Sequence, residues 1–114
     1  MPGFPTAVRV CRYGGVDQAR HGAPQGTLTG SVQSSRAAQL AIALNEGQLH
    51  TTPYDGLCPL EIGRPHYVLD FAYPDGYPLR VDVALESCGI TTDGVGWEFI
   101  PRPAEKLLTS LIGS

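Results

Sequence analysis

Long apolar runs, clustered basic residues and closely paired cysteines are all missing from this 114-residue chain, and each absence removes a class of function. No stretch approaches the roughly 18 apolar residues that a membrane-crossing helix requires. No charged-then-apolar leader precedes Val8, so an exported chain would already have lost its signal. Eight Lys and Arg residues lie scattered against eleven Asp and Glu, a net charge of −3. Nucleic-acid binding needs basic residues concentrated enough to displace counterions from phosphates, and this balance argues against it. The three cysteines, Cys11, Cys58 and Cys88, and the three histidines, His21, His50 and His66, show none of the close pairing of zinc motifs. No local signature marks a cysteine nucleophile with a histidine base. Gly94-Val95-Gly96 lacks the lysine and helix of a phosphate loop. The chain therefore reads as a non-enzymatic protein without a cofactor.

What is present suffices for a core. With 42% apolar and 17% charged residues, residues 1–114 are expected to form one domain, because halves of this chain would be too small to bury a core unaided. Met1 to Thr6 reads as an N-terminal arm. Ala7 to Tyr13 alternates as a strand, with Val8 and Val10 on one face and Arg9, Cys11 and Tyr13 on the other. Gly14 to Gly26 is a polar loop, and Thr27 to Val32 a second strand expected to turn Leu28 and Val32 inward. Ser34 or Ser35 can cap a helix whose Ala37, Leu40, Ala41 and Leu44 fall on one buried face, with Gly47 stopping it.

Gln48 to Pro65 carries three prolines and two glycines without an apolar period, the signature of a long functional loop. Two strong strands follow, Tyr67 to Tyr73 and Leu79 to Glu86, joined through Tyr73-Pro74-Asp75-Gly76. Val95 to Ile100 supplies a fifth strand. Pro103 opens an amphipathic helix over 103–112 carrying Leu107, Leu108, Leu111 and Ile112. The fold class is α+β: an antiparallel sheet of about five strands with one or two helices packed on one face.

Side chains with chemical potential have plain structural readings beside the functional ones. His50 and His66 fall in loops, and Asp70, Asp82 and Glu86 lie beside Arg80 on an outward, solvated face. Tyr54, Tyr67, Tyr73, Tyr77 and Trp97 form either an aromatic binding surface or part of the core. Three cysteines fit one disulfide and a spare thiol in an oxidising compartment, or three thiols in a reducing one.

The order of these features has a counterpart. A strand with a cysteine, a polar loop, an alanine-rich helix, a long loop with Cys58-Pro59, a hairpin and a closing Cys88 resemble the Streptomyces-type subtilisin inhibitors over roughly Ala7 to Ile100. The resemblance implies a secreted domain with a Cys58–Cys88 disulfide and a reactive loop, Leu57-Cys58-Pro59-Leu60-Glu61-Ile62. In it Leu60 is the primary specificity residue and Glu61 follows the scissile bond. It implies a subtilisin- or chymotrypsin-like serine protease as partner, and a homodimer through the sheet face. The family's second disulfide would need a cysteine where Ala37 stands, which leaves Cys11 a free thiol. Two readings stay open: a protease inhibitor, or a binding module that keeps the fold and uses the disulfide as a structural staple. A reduced, intracellular accessory protein is the third.

Overall fold

The alternation from Ala7 to Tyr13 becomes a strand with those limits, β1 (Ala7–Tyr13). A computed structural model describes residues 4–14, 28–52, 56, 58, 64–74 and 76–112. Strands β1, β2 (Leu28–Ser34), β3 (His66–Ala72), β4 (Leu79–Ala84), β5 (Ile90–Thr92) and β6 (Trp97–Phe99) form one sheet in the order β2-β1-β3-β4-β5-β6. Every neighbouring pair is antiparallel. Helix α1 (Ala37–Leu44) carries the chain from β2 to β3 on the far side of β1, the kind of crossover that two strands running the same way require. Helix α2 (Arg102–Ile112) closes the chain.

Register divides the sheet into two faces. Val8, Val10, Tyr67, Leu69, Phe71, Val81 and Val83 share the inner face and pack with Leu40, Leu44, Ala104 and Leu108 of the helices in one core. Small residues let α1 approach closely: Ala37, Ala41 and Ala43 are buried along it. On the other face Asp70 meets Arg80 at 2.9 Å, as the outward charges of these strands led us to expect. The arm is fastened where it joins the sheet, since the Thr6 amide donates to the Ala72 carbonyl at 2.8 Å.

The structure departs from the expected layout at several points, each with a local cause. The sheet has six strands, because Ile90-Thr91-Thr92 forms β5, too short to show a period of its own. Leu28 points outward and is 52% exposed. Arg12 pairs with Gly30 and Tyr13 with Leu28, so Thr29 is an extra residue that flips the alternation and sets Leu28 on the face of Tyr13. Arg36, not a serine, occupies the helix N-cap, with no side-chain cap; the Ser34 hydroxyl instead accepts from the Arg36 amide at 3.0 Å and turns the chain out of β2. Helix α1 ends at Leu44, and Gly47 beyond it is kept small by Glu98: a Cβ there would collide with Glu98 Oε2 and lie 3.1 Å from Pro101 Cγ.

The β2 bulge is held by Arg12. Its Nε donates to Thr29 Oγ1 at 3.0 Å, Nη2 to the Thr29 carbonyl at 3.2 Å, and Nη1 to the Ile112 carbonyl at the end of α2 at 2.9 Å. One guanidinium thus satisfies the bulge and a helix-terminal carbonyl, where a positive charge also favours the helix dipole. Arg12→Ala is expected to cost about 1 to 2 kcal/mol in urea unfolding, with faster amide exchange in the last turn of α2. An unchanged midpoint would contradict this role.

Candidate functional site

The long connection between α1 and β3 is fastened to the sheet at several places. Near its start the His50 amide donates to the Trp97 carbonyl at 2.7 Å and the Trp97 amide returns a bond to His50 at 2.8 Å, adding a bridge along the edge of β6. The imidazole of His50 stacks on the Trp97 indole with centroids 4.4 Å apart, and the indole N–H donates to the Thr52 carbonyl at 2.6 Å. Further on, Cys58 and Cys88 form the disulfide implied by the resemblance, with Cα atoms 5.9 Å apart. Before β3 begins, Arg64 reaches Glu105 of α2 at 3.6 Å and Pro65 is buried.

The far anchor of the disulfide is a tight turn. The Ile90 amide donates to the Ser87 carbonyl at 3.1 Å, and both central residues have positive φ, +59° at Cys88 and +70° at Gly89. Two successive left-handed residues are the requirement of a type I′ turn. Gly89 also approaches Ile100 so closely that a Cβ would lie 2.8 Å from Ile100 Cγ2. Cys88 is a non-glycine residue in a region that costs ordinary side chains energy, fixed there by its bond to Cys58. Of the proposed loop residues, Cys58 is half-buried, while Leu57, Pro59, Leu60, Glu61 and Ile62 lie outside the described residues, as do Asp75, Tyr54 and His21. Cys11 is a free, half-buried thiol on the outer face of β1, 3.8 Å from the Ser31 hydroxyl.

His66 is not a loop residue. It opens β3, and its ring lies between two carboxylates, Nδ1 3.2 Å from Glu86 Oε1 and Nε2 3.4 Å from Asp82 Oδ1. Of the acidic residues read as a solvated face, Asp82 is 44% exposed, while Glu86, one residue before the Ser87-Cys88 turn, is only 13% exposed and is enclosed against the imidazole. The hydrogen bond to Glu86 raises the His66 pKa above 6.5, with further support from the Glu86 charge and from Asp82 against the opposing effect of burial. The aromatic residues divide: Tyr67 is fully buried, Tyr77 is 78% exposed, and Trp97 belongs to the loop anchor. Among the described residues no three His, Cys, Asp or Glu side chains converge to hold a metal ion.

A buried carboxylate went unrecognised in the sequence. One inner row crosses the sheet through Arg12, Tyr67, Val83, Thr91 and Glu98. Glu98 is 8% exposed, and burial raises its pKa to about 6 against the opposing charge of the chain's α-amino group, with the charge of Asp93 adding to the rise. The alternation of Trp97-Glu98-Phe99 carried the signal, since it opposes the glutamate to its two aromatic neighbours. Asp93 shows the opposite behaviour: its carboxylate accepts the Gly96 amide at 3.0 Å and the Val95 amide at 2.9 Å, and these bonds hold its pKa down.

These shifts set the sign of the pH dependence. The His66 contribution is complete below its unfolded value of 6.5 and is lost as pH rises through its higher folded value. Glu98 imposes a penalty that begins near 4.5 and is complete above about 6. Both make the fold progressively less stable as pH rises from 5 to 8. Glu98→Gln is expected to stabilise the domain by about 2 kcal/mol at pH 7.5 and to flatten much of that slope in urea titrations. A profile that rises over this range would contradict both assignments. No helix among the described residues is long and apolar enough to cross a membrane. Compared with protein-family models, curated proteins and solved structures, the chain matches none.

Proposed function

We propose that this is an exported, non-enzymatic domain that presents Leu57 to Ile62 to a subtilisin- or chymotrypsin-like serine protease and inhibits it as a substrate held uncut. The observation that supports this reading best is the anchoring of the loop: stacked and hydrogen-bonded to Trp97 on one side, and bonded through Cys58 to the left-handed turn at Cys88 on the other. A segment already tied at its base loses less conformational entropy when a protease cleft orders it, and Pro59 removes a further backbone freedom. Leu60 offers an apolar side chain to a specificity pocket. The disulfide is compatible with an extracytoplasmic location. A homodimer through the sheet face opposite the helices belongs to the same reading.

A protease panel tests it. The wild-type domain is expected to inhibit subtilisin and chymotrypsin and to spare trypsin, whose pocket requires a basic residue. Equal inhibition of all three would remove Leu60 from the specificity position. The second reading, a binding module that keeps the fold without inhibiting, is favoured by Gly63, which adds backbone freedom inside the loop. Indifference to all three enzymes would support it.

A further inference from the structure

We propose that the Cys58–Cys88 bridge is a thiol-exchange site, in which a small thiol enters the cavity beside Cys88 and is captured there as a mixed disulfide, with Cys58 as the leaving thiolate. The site lies at the anchor of the loop, but its argument does not depend on protease inhibition. Cys88 is exposed, whereas Cys58 is half-buried. A disulfide is cleaved when a thiolate reaches one of its sulfurs, so access favours attack at Cys88. Room for the attacker is a cavity of about 240 Å³, lined by Cys88 together with Leu85, Gly89, Ile100 and the paired side chains of Arg64 and Glu105.

The other sulfur is prepared to leave. The Ser87 hydroxyl donates to Cys58 Sγ at 3.5 Å. Such a bond favours the thiolate over the thiol, and the more stable thiolate is the faster leaving group. Cys88 is held by the bridge at a φ of +59°, a conformation that costs a residue with a Cβ energy, and opening the bridge removes that restraint. Access, leaving-group stabilisation and backbone strain therefore act in one direction. In the step itself a thiolate RS⁻ attacks Cys88 Sγ, and the R–S–S–Cys88 bond forms as the Cys58–Cys88 bond breaks. The electron pair departs on Cys58 Sγ, which takes up the proton that the entering thiol gave to solvent. The thiol is the sole co-reactant, its sulfur oxidised as Cys58 is reduced.

The class of thiol follows from the cavity. At about 30 Å³ per water it holds roughly eight waters' worth of volume, enough for a thiol of the size of cysteine. Arg64 and Glu105 pair at 3.6 Å, so their charges offset and the selection is by size rather than by sign. Exchange opens the bridge inside a folded domain. The stack of His50 on Trp97 and the core of Tyr67, Leu69, Phe71, Val81 and Val83 involve neither sulfur, so one anchor of the loop is released while the other stays.

The test exposes the oxidised full chain to millimolar cysteine in native buffer at pH 7.5, followed by acid quenching, peptic digestion and mass mapping of the cysteine adduct. The adduct is expected on Cys88, in roughly tenfold or greater excess over Cys58, with the far-ultraviolet spectrum unchanged. Ser87→Ala should slow its formation about fivefold, the loss of one hydrogen bond to the leaving sulfur, and should raise the share found on Cys58. Cys11→Ser should leave rate and map as they are, because the free thiol on β1 takes no part. An adduct divided equally between Cys58 and Cys88, exchange that appears only in urea, a Ser87→Ala variant with unaltered rate and map, or a map that depends on Cys11 would overturn the proposal.

Discussion

Replacing Cys58 and Cys88 together by serine is expected to lower the stability of the domain by roughly 3.5 to 4 kcal/mol, the chain-entropy cost of releasing a closed loop of this length. The bridge spans a sequence separation of 30 residues that includes β3, β4 and the turn between them, so its loss frees the unfolded chain across the middle of the sheet. For a domain of this size the change corresponds to a fall in Tm of about 15 °C. The folded variant should keep its far-ultraviolet spectrum, because the inner-face packing of Tyr67, Leu69, Phe71, Val81 and Val83 does not involve either sulfur. Urea unfolding of the wild type and the double variant measures the difference, and a thiol count separates one free thiol in the wild type, Cys11, from three in a reduced chain. A loss below about 1 kcal/mol would mean that the other anchors of the loop already impose the restriction assigned to the disulfide.

Leu60→Asp should abolish inhibition of subtilisin, weakening it by about three orders of magnitude. An ionised carboxylate entering an apolar specificity pocket gives up its water for no partner, and about 4 kcal/mol of that penalty suffices for a thousandfold change. The substitution lies between the anchors, so the urea midpoint should remain that of the wild type. Unchanged inhibition with unchanged stability would show that contact with the enzyme is made elsewhere. Leu60→Met is the matching control, since it keeps an apolar side chain of similar volume and should preserve most of the affinity.

How far these features could be read in advance depended on whether their cause was local. The strands β1, β3 and β4 show alternation that one face of a buried sheet imposes on its own residues, and α1 declares itself by Ala37, Leu40, Ala41 and Leu44. Leu28 misled because the Thr29 bulge depends on Arg12 and on the end of α2, 100 residues away along the chain from Arg12. Ser34 was a capping residue by type, yet it is still inside β2 and its hydroxyl serves the turn instead. Gly47 followed a helix and so resembled a stop, while its smallness answers to Glu98 on a strand that forms half the chain later. His66 followed Pro65 in an irregular stretch, and only the pairing of β3 with β4 sets it between Asp82 and Glu86. The Cys58–Cys88 disulfide was expected from a resemblance, and no local signal at either cysteine marked the pairing. The turn that receives it, with successive left-handed residues at Cys88 and Gly89, left only the glycine as a trace in the sequence.

The most direct test of the anchored loop as an inhibitor is a titration of subtilisin with the oxidised wild-type domain, followed by mass analysis of the recovered chain. The account predicts a linear loss of activity to a one-to-one equivalence point, with the Leu60–Glu61 bond intact in the recovered protein. Rapid cleavage at that bond while the protease keeps its full activity would contradict it.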